Sequence, residues 1–158
     1  MSIILLSLLI NNGCKEDKST NTADNSTAIV VVKTSNTNYS QESIHRLFPD
    51  SASLAIISSA YSTNYSEERR AALIATMKKE VSELGEDVTV IDTILTRAGC
   101  NSSGEYILPT YAEKAKYNGI DAWLIQFTYG LGNSGFGHYK CYAFSVPSLD
   151  TLNYVGCK

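Results

Sequence analysis

The sequence predicts an α/β domain of the α+β kind: one mixed sheet with helices on one side, closing in a C-terminal antiparallel β-meander. Three observations carry this expectation. Apolar residues recur at helical spacing between positions 65 and 84, alternation at period two begins at Asp121, and short β-branched runs stand ahead of the helix. With 44% hydrophobic residues, there is material for a core of one domain, placed at residues 28–158.

The elements follow in order. Ala28 to Lys33 is a short β-branched strand, and Gln41 to Phe48 a short helix stopped by Pro49. Ser53 to Ser58 reads as a second strand. The helix over about 65–84 presents Leu73, Ile74, Met77, Val81 and Leu84 as one stripe. Asn64 or Ser66 can cap it, Asn64 with Glu67 having capping-box spacing, and Gly85 sits where a left-handed C-terminal residue belongs. Val88 to Leu95 is expected as a strand, so that strand–helix–strand makes a right-handed crossover. Pro109 suits the first turn of a second helix carrying Tyr111, Ala112 and Ala115 and ending at Asn118-Gly119.

From Asp121 the pattern becomes alternating. Trp123, Ile125, Phe127 and Tyr129 share one strand face, a glycine-rich turn occupies 130–137, and strands follow at His138–Val146 and Leu152–Cys157. Pairing Tyr129 with His138 sets Ile125 against Tyr142 and Trp123 against Phe144. Pairing Val146 with Leu152 sets Phe144 against Tyr154, collecting the large apolar groups on one face.

The first residues read differently. Ile3 to Ile10 is apolar but far shorter than the roughly 20 residues that span a bilayer. Its length and position fit the core of a secretory signal, and Gly13-Cys14 then presents a small residue before an acylatable thiol. Residues 1–13 are therefore expected to be a lipoprotein signal peptide, and Cys14 the lipidated residue. Residues 14–27, rich in Ser, Thr, Asn and Asp, form the expected flexible tether. Two or three acyl chains on one cysteine hold a protein stably at a membrane.

An exported chain sits where disulfides persist. The strand register sets Cys141 opposite Cys157, and that pair is the expected bridge, with Cys100 free. The alternatives are three reduced thiols or a bridge through Cys100.

Function classes narrow by exclusion. The formal net charge is −3 and no Lys/Arg cluster exceeds two neighbours, so the basic footprint of a nucleic-acid binder is missing. Gly130 to Gly135 spells G-x-G-x-x-G after a strand, but a dinucleotide site needs a helix next, and Phe136–Phe144 has strand character. Neither His45 nor His138 stands in metal-ligand spacing, and no cofactor is expected. Four N-x-S/T triplets, at Asn25, Asn38, Asn64 and Asn101, are compositional. Tyr129, Phe136 and Tyr139 flank the glycine loop and form a candidate partner-binding patch; aromatic packing at a sheet end is the competing reading.

Ala115-Lys-Tyr-Asn-Gly119-Ile-Asp121-Ala122-Trp-Leu-Ile resembles the helix-to-strand turn of a group of envelope domains. The group includes the curli-secretion lipoprotein CsgG, the LpoB-type synthase activators and the amino-terminal domain of TolB. Ser148 to Leu152 is similar to a later strand segment of the same group. The resemblance covers roughly residues 53–157 and implies a compact α/β domain with a binding or assembly role, not catalysis. The expectation is thus an outer-membrane or other envelope lipoprotein, held to lipid through Cys14, whose domain binds a protein partner. A surface-exposed adhesin-like lipoprotein is the second reading, and a small hydrolase using His138 or Cys100 the third.

Overall fold

A computed structural model describes residues 30–47, 66–99, 105–131 and 136–156. Five strands form one sheet in the order β1-β2-β3-β4-β5: Val31–Tyr39, Glu105–Tyr117, Ile120–Leu131, Phe136–Ser145 and Thr151–Gly156. β1 runs parallel to β2, and β2 to β5 form an antiparallel meander. Between β1 and β2 the described residues form a 3₁₀ turn at Ile44–Leu47 and two helices, α1 at Glu67–Glu83 and α2 at Thr89–Arg97. The expected mixed sheet with helices on one side and a C-terminal meander is what the chain forms.

The first helix follows its sequence signals. Ser66 caps it by accepting the Arg69 N–H at 3.2 Å, while Asn64 lies outside the described residues. Leu73, Met77 and Val81 are buried as the stripe requires, and Leu84 remains exposed as the C-cap. Gly85 takes φ +78°, with its N–H on the Ser82 carbonyl and the Glu86 N–H on Val81, the double closure of a Schellman end.

Two element assignments are overturned. Val88–Leu95 is not a strand; it lies largely within α2. Its β-branched residues suggested extended chain, but Ile91, Ile94 and Leu95 bury at helical spacing. The threonine hydroxyls are satisfied inside the helix, Thr93 donating to the Thr89 carbonyl and Thr96 to that of Asp92. Among the described residues, both helices therefore lie in the connection between the parallel strands β1 and β2. The expected strand at 53–58 lies outside the described residues.

The segment after Pro109 is strand β2, not a helix. A bulge at Thr110 hides the alternation: Pro109 faces Phe127, yet Tyr111 already faces Gln126. Pro109, which has no N–H for the ladder, stands beside that irregularity. Asn118 and Gly119, at φ 47° and 81°, make the two-residue hairpin turn that Asn-Gly favours.

In the meander, β3 and β4 pair as the sequence predicts: Tyr129 with His138, Ile125 with Tyr142, Trp123 with Phe144. The β4–β5 register differs. Tyr142 faces Tyr154 and Phe144 faces Thr151, because the turn closes earlier. Ser145 N–H donates to the Asp150 carbonyl at 2.9 Å, and Val146 N–H is taken by the Asp121 carbonyl instead of by β5.

Core forms on both sheet faces. Met77, Val81, Ile91, Ile94 and Leu95 pack on Ile107, Ala112, Trp123, Ile125, Phe127 and Phe144. Tyr39, Ile44, Leu47, Ala115, Tyr117, Leu124, Cys141 and Ala143 form the second cluster on the other face. Arg97 fastens α2 to the β4–β5 turn, donating to the Leu149 carbonyl and pairing with Asp150 at 3.3 Å. No helix among the described residues is long and apolar enough to cross a membrane.

Candidate functional site

The expected aromatic patch divides. Tyr129 pairs with His138, so both side chains stand on the helix-side face; Tyr139 comes next along β4 and points to the other face. Tyr129, Phe136 and Tyr139 therefore do not share one surface. Only the backbone of Phe136 is described, opposite Gly130. The grouping the sheet makes instead is Tyr129 with His138 and Lys140. The His138 ring stacks on Tyr129 with centroids 5.2 Å apart, and the Lys140 ammonium lies 4.5 Å from the Tyr129 ring centre. All three side chains are partly exposed, beside the connection from β3 to β4. The element that follows the glycine run in the chain is strand β4, not the helix that a dinucleotide site would require.

A second cluster was not anticipated. Glu113 is fully buried on the face away from the helices. Tyr39 donates its hydroxyl to Glu113 Oε2 at 2.9 Å, and Tyr111 donates to the same oxygen. Lys33 Nζ stands 3.8 Å from Oε1 and 5.5 Å from the Tyr111 ring centre. Oε1 has no hydrogen bond among the described residues. Burial, reinforced by the neighbouring carboxylate, pushes the Tyr39 hydroxyl up to about 12, and the same causes raise Tyr111. Both phenols thus stay protonated and donating. Chemically, the arrangement ties β1 to β2, since Lys33 and Tyr39 come from one strand and Tyr111 and Glu113 from the other. The available signal was period two through Glu113, Ala115 and Tyr117, obscured once that stretch was read as helix.

Of the cysteines, only Cys141 lies within the described residues; Cys14, Cys100 and Cys157 lie outside them. Cys141 is buried with a free thiol, which burial pushes up to about 12, so it is no nucleophile at neutral pH. The register that set Cys141 against Cys157 is corrected by two residues, and Cys141 faces Val155. Among the described residues, no group of three or more His, Cys, Asp or Glu side chains could hold a metal ion.

Comparison with protein-family models, with curated proteins and with solved structures finds no match.

Proposed function

We propose that this chain is a lipid-anchored lipoprotein of the cell envelope, whose domain is a non-catalytic binding or accessory module for a protein partner. The observation that carries the binding half is the Tyr129–His138–Lys140 grouping at the end of β3 and β4. An aromatic ring with an imidazole stacked on it and an ammonium close to it, on an antiparallel pair, gives a partly exposed surface of the kind protein interfaces favour. Tyrosine adds contact area there at little conformational-entropy cost. The anchoring half rests on Gly13-Cys14 after an apolar run, and on residues 14–27, whose composition suits a tether.

Chemical crosslinking in native membranes, followed by affinity recovery and mass spectrometry, tests both halves at once. The proposal expects a mature chain beginning at acylated Cys14 and one recurrent envelope protein in the recovered material. Lys140→Ala and Tyr129→Ala should each reduce that protein's recovery without changing the acylation. An unacylated chain beginning at Met1 defeats the anchoring half. An acylated chain that recovers only itself turns the binding half toward extracellular molecules.

A further inference from the structure

Beside β1 lies a cleft of about 230 Å³, lined by Thr34, Ser35, Asn36, Lys114, Lys116 and Asp121. It sits toward the β2–β3 hairpin, away from Tyr129, and has no part in the reading above.

The cleft exists because β1 leaves register there. Thr34 faces Lys114 and Asn38 faces Lys116, so three residues of β1 stand against Ala115 alone. Such irregularities re-aim side chains and release backbone groups from the ladder. Thr37 N–H, for example, is taken by the Ser35 hydroxyl at 3.0 Å instead of by β2. Asn38 closes the hairpin side, its carboxamide oxygen accepting the Gly119 N–H at 2.9 Å.

The lining selects the chemistry of a ligand. Both lysines are already committed to carboxylates, Lys114 to Glu86 and Lys116 to Asp121, each at 2.6 Å. Each ammonium is thus charge-paired, so the cleft has little net positive charge with which to draw an anion. The exposed lining is divided about evenly between polar and apolar atoms, with Ala115 its one apolar residue, so a ligand needs carbon faces as well as polar groups. What remains is a dense mixture of donors and acceptors: two hydroxyls, the Asn36 carboxamide, the unused N–H groups of two ammoniums and the second oxygen of Asp121. A ligand whose every group both donates and accepts satisfies that mixture best. The volume is below the several hundred Å³ usual for larger ligands, which limits the occupant to about one ring.

We propose that this cleft binds a neutral, hydroxyl-rich ligand of single-sugar size. The sugar can be a free monosaccharide or one unit of a glycan chain. An open, polar site with no aromatic platform binds it weakly, with Kd on the order of millimolar.

The test is saturation-transfer NMR on the full chain in detergent micelles. The probes are glucose, N-acetylglucosamine, linear oligomers of each, and inorganic phosphate. The proposal expects transfer to at least one sugar, unchanged when salt is raised to about 0.5 M because no net charge is involved. Asn36→Ala should weaken binding about fivefold, the loss of one hydrogen bond, and Asp121→Ala by at least as much. Asn36 is exposed, so its variant keeps the fold, which circular dichroism checks. Tighter binding of an oligomer than of its monomer assigns the site to a glycan chain, and equal binding to a free sugar. Absence of transfer to every sugar overturns the proposal, as does salt-sensitive binding of phosphate alone, or sugar binding that neither substitution changes.

Discussion

Glu113→Ala removes the acceptor shared by two tyrosine hydroxyls, and its cost can be worked from the geometry. Tyr39 is 8% exposed and Tyr111 half-buried, so both donors are left in poor contact with water. Each stranded donor costs about 1–3 kcal/mol, with Tyr111 toward the lower end. Losing Lys33 adds little, because its side chain is 50% exposed and stands 3.8 Å away. Releasing a desolvated carboxylate offsets part of the loss. The net expectation is a destabilisation of about 2–3 kcal/mol, a large share of a typical domain's 5–15 kcal/mol. Glu113→Gln keeps one acceptor oxygen but turns an amide toward Lys33, and should cost about 1 kcal/mol. The triple variant Glu113→Leu, Tyr39→Phe, Tyr111→Phe removes donors and acceptor together and should recover to within about 1 kcal/mol of the parent. Equilibrium urea unfolding reads all three as midpoint shifts at constant slope. The reasoning fails if Glu113→Ala shifts stability by less than about 0.5 kcal/mol, or if the triple variant is less stable than the single one.

Other consequences can be checked separately. Tyr39 and Tyr111 have folded pKa values above the free-phenol value near 10, so the folded state binds protons more tightly above pH 10. Their contribution is complete below pH 10 and is lost as pH rises toward 12, at up to about 1.4 kcal/mol per pH unit for each proton. A Tyr39→Phe, Tyr111→Phe protein should lose stability less steeply over that window, and a parallel decline in both would contradict the assignment. Trp123→Ala, at a fully buried ring in the core that the sheet shares with both helices, should cost about 3–5 kcal/mol in the same unfolding assay. Cys141 should resist alkylation at pH 8 in the folded protein and react on unfolding, which mass spectrometry with peptide mapping reports.

The parts of this fold legible in sequence are those where one periodicity ran without interruption. The stripe of α1 and the Ser66 and Gly85 ends obey local rules that packing had no reason to override. The β3–β4 register followed from alternation alone, since a slip by one residue would have turned Trp123 and Phe127 outward. Misreadings arose where two signals conflicted. In α2 the β-branched residues argued for a strand, yet they serve a short helix whose apolar positions need the partner sheet. In β2 one bulged residue, Thr110, shifted the phase, and Pro109 then looked like a helix start. That error concealed Glu113, because a glutamate between Ala112 and Lys114 reads as a solvated helix face. The aromatic patch was misgrouped for a simpler reason. Proximity to the glycine loop in sequence does not give a shared face, and Tyr129 and Tyr139 are on opposite sides of the sheet.

The most direct measurement is photo-crosslinking in native membranes with a benzophenone amino acid placed in turn at Tyr129, Tyr139 and Tyr154. Tyr154 is an exposed control on β5. The account predicts an adduct to one envelope protein from position 129, with far less from 139 and 154, on a chain whose mature N-terminus is acylated Cys14. Equal adducts from all three positions, or adducts only from 139, would contradict the placement of the partner at the Tyr129–His138–Lys140 end.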